Sequence, residues 1–276
     1  MNLIEPPPAL AVTGSIEPLL DPVFISDLHL TVERPATSRR FFSFMQSEAP
    51  RYRELVILGD LFEFWIGDDA SSAARPVVDA LAAASSAGQR VLLMHGNRDP
   101  LLGHDFTRAA GATLLADPIV VDVVGAKTLL SHGDAWCTRD VAYQQFRSMV
   151  RSVEFQREFL TKSVEERAVI ARNARTRSDT EKATKAMDIM DVTPDAVCRA
   201  LRDAGVRRTI HGHTHRPAAH RIDLDGASAE RWVLPDWDVD ASEPRGGYLH
   251  FIAGEPRLVF FNDQQSCGGI NRRPAD

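Results

Sequence analysis

Short apolar runs that stop abruptly in a polar, mostly glycine-bearing signature constrain this chain more than any other feature. Val23-Phe24-Ile25-Ser26 runs into Asp27, Leu55–Leu58 into Gly59-Asp60, and Val91–Met94 into His95-Gly96-Asn97. Thr128–Ser131 runs into His132, and Arg208–Ile210 into His211-Gly212-His213. Continuous apolar runs of this length suit strands covered on both faces. Ala74 to Ala87, closed by Gly88, is helical in composition and lies between the second and third runs. Strand–helix alternation predicts an α/β sheet. Such sheets bind ligands beyond the carboxyl ends of their strands, where these signatures fall.

The C-terminal third differs. Arg231–Leu234, Gly247–Ala253 and Arg257–Phe261 read as antiparallel strands, most simply a second sheet packed on the first. Residues 139–185 also break the alternation, with eleven Lys or Arg against seven Asp or Glu, net +4 in a chain of −6. Tyr143, Phe146, Met149 or Val150, and Val153 recur at helical spacing, as do Phe155 and Phe159. Two or three inserted helices are expected, then one capped by Thr193 with Pro194 in its first turn, ending before Gly205.

Composition narrows the setting. Three Cys without a CxxC pair give no disulfide framework and suit a reducing compartment. The charge of −6 disfavours an electrostatic nucleic-acid binder. Residues 1–20, interrupted by Glu5, Pro6–Pro8 and Glu17, read as a flexible arm rather than a signal peptide. Residues 21–262 form the expected domain, with its insertion at about 139–190, and 263–276 read as a loose tail. No run approaches the roughly 18 apolar residues of a membrane helix.

The chemistry sits in Asp27-Leu28-His29, Gly59-Asp60, Gly96-Asn97-Arg98-Asp99, His132-Gly133-Asp134 and Gly212-His213-Thr214-His215. Two carboxylates (Asp27, Asp60), the Asn97 amide and four imidazoles (His29, His132, His213, His215) suit Mn²⁺, Fe²⁺ or Co²⁺. No Cys takes part, against a structural zinc site. A strand period of two would send Asp27 and His29, and likewise His213 and His215, out of one face. Seven donors exceed one tetrahedral ion and fit two ions sharing a bridging carboxylate, the arrangement that clamps both oxygens of a phosphoryl displacement. Asp99 and Asp134 read as turn formers or as partners of the ligating imidazoles. His95, His104, His211, His220 and His250 read as core residues.

The order D-x-H, G-D, G-N-x-[DE], H-G-D, G-H-x-H resembles that of the calcineurin-like metallophosphoesterases from Phe24 to His215. The resemblance implies a four-layer α-β-β-α sandwich, here with an inserted helical cap. It implies one ion on Asp27, His29, Asp60 and His215 and another on Asp60, Asn97, His132 and His213, with Asp60 bridging. Most of that family has His after Gly-Asn; this chain has Arg98, which cannot give up its proton and can only clamp phosphate oxygens. Arg98, the stretch Gly59-Asp60-Leu61-Phe62-Glu63-Phe64-Trp65-Ile66-Gly67-Asp68-Asp69 and Ala186–Val192 resemble the UDP-2,3-diacylglucosamine diphosphatases of lipid A synthesis. So do Cys137-Thr138 and His211–Pro217.

That resemblance implies hydrolysis of UDP-2,3-diacylglucosamine to UMP and 2,3-diacylglucosamine 1-phosphate by hydroxide attack at the phosphorus nearer uridine. Asp60, Asn97 and Arg98 would be catalytic, with two divalent ions, by expectation Mn²⁺. Asn97, Arg98, Asp140, Tyr143, Ser178, Lys182, Lys185 and His213 would contact substrate, Lys182 standing where the subfamily has Asn. The enzyme would work from the cytoplasm, peripherally on the inner membrane of a bacterium. The positive insertion would face pyrophosphate and anionic head groups while its apolar faces enclose acyl chains. A soluble phosphodiesterase on a nucleotide is the rival enzyme; Arg98 and the long insertion oppose it. A non-enzymatic scaffold of the same fold is the third reading; such scaffolds usually lose ligands, and here all seven are present.

Overall fold

The computed structural model describes residues 16–184 and 191–261, with side chains left out for 177–184. Its elements run β1 (Pro22–Ile25), α1 (Pro35–Ser47), β2 (Glu54–Leu58), α2 (Arg75–Ser86), β3 (Arg90–Met94), α3 (His104–Ala110) and β4 (Ala112–Leu115). β5 (Ile119–Val123), β6 (Ala126–Ser131), α4 (Val141–Val150), α5 (Val153–Leu160) and α6 (Val164–Thr184) follow. The chain then forms α7 (Pro194–Ala204), β7 (Arg208–His211), β8 (Ala218–Leu224), β9 (Ala227–Val233), β10 (Gly247–Ile252) and β11 (Glu255–Phe260).

Two sheets form, in the orders β11-β10-β1-β2-β3-β4 and β5-β6-β7-β9-β8. The apolar runs explain how they stack. Val23, Ile25, Leu55, Ile57, Val91 and Leu93 pack outward against Phe41 and Phe44 of α1, Leu81 of α2 and Phe106 of α3. Phe24, Val56, Leu58, Leu92 and Met94, on the other face, meet Val121, Leu130, Ile210 and Trp232 of the second sheet. Leu129 and Ala229 cover the far side of that sheet against Val197 and Leu201 of α7. Four layers result, and β1, Leu55–Leu58 of β2 and Val91–Met94 of β3 carry apolar side chains at every position because both faces are covered there.

The C-terminal strands correct the expectation of a separate antiparallel sheet. β10 and β11 extend the first sheet, β10 pairing antiparallel with β1 at Phe24 and Leu249. β9 lies parallel to β7 in the second sheet, whose nucleus is β6 and β7. The 1–20 arm is also shortened. Leu19 is fully buried, and its N–H donates to Asp122 O at 2.8 Å, so the packed chain begins ahead of Asp21. Residues 1–15 and the tail from 262 lie outside the described residues.

The insertion holds three helices, α4 to α6, anchored by its cations. Arg167 of α6 is 1% exposed and donates to Ile66 O and both carboxylate oxygens of Asp69. Phe159 is buried beside the first-sheet helices, with Phe155 packed against the same cluster. Phe146, Met149 and Val153 stay exposed. Thr193 stands at the N-cap of α7 but makes no side-chain cap; its Oγ1 accepts from Thr138 Oγ1 at 2.7 Å instead.

Candidate active site

β1, β2 and β3 of one sheet and β6 and β7 of the other end at one edge of the sandwich, and the loops leaving them converge. Asp27, His29, His213 and His215 lie beyond their strands, so a strand period of two is not what aligns each pair. Left-handed backbone is: φ is +54° at Asp27, +48° at His29, +53° at Asp60, +69° at His213 and +54° at His215. Such a conformation costs roughly 1–3 kcal/mol per non-glycine residue and clusters where function requires it. These five are among eight non-glycine residues with positive φ in the described chain, so the strain concentrates here. Paired loops hold it, with Asp27 N–H donating to Gly59 O at 3.1 Å and His29 N–H to Asp60 O at 3.0 Å.

The seven sequence-predicted donors meet in one cluster. His29 Nε2 lies 3.3 Å from His215 Nε2. His215 Nε2 lies 3.5 Å from Asp27 Oδ1. Asn97 Oδ1 lies 3.1 Å from His132 Nε2 and 2.8 Å from His213 Nδ1. Asp60 stands between the two groups, with Oδ2 3.8 Å from His29 Nε2 and Oδ1 3.8 Å from His132 Nε2. The geometry suits a bridging carboxylate. Asp27, His29 and His215 converge as one group able to hold a cation, and Asp27, Asp60 and His132 as another.

The donor chemistry fits cations. Asp27 Oδ2 accepts from Ser26 Oγ at 2.7 Å and His213 N–H at 2.8 Å, while buried Asp27 Oδ1 has no hydrogen-bond partner. An orphaned carboxylate oxygen is costly unless a cation satisfies it. Burial, then His215, holds the His29 imidazole well below its usual range. Burial, then His132, lowers His213 to about 3. Both stay neutral, with a lone pair to give. Burial opposes a charge on His132, but Asp60, Asp27, Asp134 and Asp117 outweigh it and push its pKa up to about 9. The pocket therefore draws positive charge.

Glycines let the loops crowd. A Cβ on Gly96 would sit 2.0 Å from Asp60 Oδ1, and one on Gly212 2.3 Å from Asp27 Oδ2. Asp99 ties two loops together: Leu61 N–H and Gly96 N–H each donate to it at 2.8 Å, and Asp60 N–H donates at 3.3 Å. Burial, then the Asp60 charge, lifts its pKa to about 6. Asp134 accepts from Tyr143 Oη and Arg147 Nε, each at 2.8 Å. Its hydrogen bonds order the insertion, and its charge also acts on the His132 imidazole.

Several substrate expectations can be placed. Tyr143 stacks on His213, with centroids 5.7 Å apart and planes at 29°. Arg98 adjoins the cluster, its backbone N–H donating to Asp60 Oδ1 at 2.8 Å and its guanidinium 3.8 Å from Glu63. Asp140 is the N-cap of α4 and accepts from Tyr143 N–H at 3.1 Å. The side chains of Ser178 and Lys182, and all of Lys185, lie outside the described residues.

Other residues at the site carry no role in the motif reading. Glu63, 4% exposed, faces His29, Arg98 and Arg175. Asp236 lies 3.4 Å from His215 Nδ1 and accepts from Arg245 at 2.7 Å. Arg151 of the insertion donates to Gly96 O at 3.2 Å. An acid inside the acid–aromatic stretch was the signal available for Glu63; Arg175 and Asp236 gave none, because their partners are far away in sequence.

A family model, calcineurin-like phosphoesterase, matches residues 22–217. The chain is 48% identical over 228 residues to the UDP-2,3-diacylglucosamine hydrolase of Bordetella pertussis, covering 81% of this chain and 88% of the relative. It is 49% identical over 217 residues to that of Pseudomonas aeruginosa, covering 78% and 90%. With the family's motif order gathered into one buried cluster at the sandwich edge, the chain belongs to the calcineurin-like phosphoesterase family.

Proposed function

We propose that this protein hydrolyses the pyrophosphate of UDP-2,3-diacylglucosamine, giving UMP and 2,3-diacylglucosamine 1-phosphate. The observation that carries the reading is the cation-seeking cluster with Arg98 and Arg175 paired to Glu63 beside it, under a positively charged insertion. Relatives named for that reaction match across both parts.

Two divalent ions are proposed, Mn²⁺ by preference: one on Asp27, His29, Asp60 and His215, the other on Asp60, Asn97, His132 and His213. When bound, such ions polarise a phosphoryl oxygen and lower the pKa of water. The chain supplies the rest. Arg98 clamps phosphate oxygens with a guanidinium that stays charged. Tyr143 buttresses His213. Asp140, Ser178, Lys182 and Lys185 are proposed as further substrate contacts, on the resemblance. Water attacks the phosphorus nearer uridine, the bond from that phosphorus to the bridging oxygen breaks, and the lipid phosphate departs as a stable anion needing no strong general acid. Arg98 in place of an acid fits that route.

No described helix is long and apolar enough to cross a membrane. We place the enzyme on the cytoplasmic face of the bacterial inner membrane, with exposed Val141, Phe146 and Met149 of α4 toward lipid. The test is hydrolysis of UDP-2,3-diacylglucosamine with Mn²⁺ in ¹⁸O water, followed by mass spectrometry. Label in UMP is expected. Label in the lipid phosphate would overturn the site of attack, and no turnover would overturn the substrate.

A further inference from the structure

Glu63 is buried at 4% exposure yet faces three groups from three parts of the chain. Its Oε2 lies 3.7 Å from His29 Nδ1, a buried nitrogen without a hydrogen-bond partner. Its Oε1 lies 3.1 Å from Arg175 Nη1 of α6 and 3.8 Å from Arg98 Nη1. A carboxylate so buried is costly unless cations or donors surround it. Two guanidiniums beside one another are equally costly without an anion between them. Each problem solves the other, and the imidazole profits, since a carboxylate behind a metal-facing histidine fixes its ring and raises its basicity.

We propose that Glu63 is a positioning residue that couples the cation site to phosphate recognition. One oxygen orients His29 so that Nε2 faces Asp60 and His215. The other gathers Arg98 from the β3 loop and Arg175 from the insertion into one anion-binding pair. Both arginines can then exchange Glu63 for phosphate oxygens without leaving the site. The metal half of this inference stands on the cluster alone; the phosphate half rests on the substrate reading above.

The test compares wild type, Glu63→Gln and Glu63→Ala, with Arg175→Ala and the Glu63→Gln/Arg175→Ala double variant. Mn²⁺ affinity is measured by calorimetry without substrate, and KM and kcat on UDP-2,3-diacylglucosamine. Glu63→Gln keeps the shape and an acceptor but loses the charge, so it guards against a folding failure in Glu63→Ala; thermal melts identify any such failure. Glu63→Gln should weaken Mn²⁺ binding by about tenfold or more, the usual cost of losing such a partner. Arg175→Ala should leave Mn²⁺ affinity within about twofold and raise KM, and the double variant should show less than the product of the two KM effects. Unchanged Mn²⁺ affinity in folded Glu63→Gln would overturn the metal half. Multiplicative KM effects would overturn the coupling to the arginines. Wild type that binds Mn²⁺ but leaves the lipid nucleotide intact would overturn the substrate reading and with it the phosphate half, while the calorimetry still decides the metal half.

Discussion

At the scale of single residues, the site shows steric demand and charge demand meeting in the same few atoms. Gly96 faces the Asp60 carboxylate so closely that a Cβ would overlap Oδ1 at 2.0 Å. Asp60 can retreat only by giving up the Arg98 N–H on its Oδ1 and the ties of the 60–61 backbone to Asp99. Gly96→Ala should therefore displace the Asp60 carboxylate. We expect it to lower bound Mn²⁺ and turnover by more than tenfold and to lower the melting temperature without metal as well, because the added Cβ also meets the buried backbone N of Asp60 at 2.2 Å. Elemental analysis of the purified variant, beside a thermal melt, checks this. Metal content equal to wild type would show that the contact is relieved without moving Asp60.

At the scale of elements, the helices of the insertion split their apolar residues between two tasks. Phe159 of α5 is 7% exposed and belongs to the cluster that includes Trp65 and Phe106. Phe146 of α4 is 43% exposed, with Met149 and Val153 also open. Phe159→Ala should cost about 3–5 kcal/mol through lost burial and a cavity. Phe146→Ala should cost under about 0.5 kcal/mol, as surface changes do, and should instead raise KM for the diacylated substrate. Denaturant unfolding and steady-state kinetics on the two variants form the check. A large loss of stability in Phe146→Ala would mean that α4 packs more tightly than its exposure indicates.

At the scale of the whole molecule, the cluster draws side chains from both sheets of the sandwich. Asp27, Asp60 and Asn97 follow strands of one sheet; His132, His213 and His215 follow strands of the other. Any cation held between them binds the folded state and not the unfolded chain, so it adds stability by mass action, about 2.7 kcal/mol at a hundredfold excess over Kd. Chelation should lower the melting temperature, and Mn²⁺ should restore it in a concentration-dependent way. A melting temperature unmoved by chelator, in protein shown by elemental analysis to lose metal, would place the ions outside the load shared by the two sheets.

Read along the chain, the apolar runs already imply strands with both faces covered, because a half-exposed strand cannot afford a hydrophobic residue at every position. The seven donors are legible for a related reason: each lies within about four residues after a strand end, so local pattern and chemistry coincide. Gly88 and Gly205 also mark the ends of α2 and α7, positive-φ positions where a helix stops. Tertiary structure alone decided the rest. Nothing local tells β10 to join β1 rather than found a new sheet, since an antiparallel hairpin needs only a free edge to pair with. Strand period misassigns why Asp27 and His29 converge, because left-handed backbone is held there by hydrogen bonds that Asp27 and His29 N–H donate to the Gly59 and Asp60 carbonyls, some thirty residues onward. Whether Phe146 or Phe159 packs inside depends on how α4 and α5 lie over the core. Glu63, Arg175 and Asp236 become partners of the site only through contacts between distant segments, a property that no window of sequence contains.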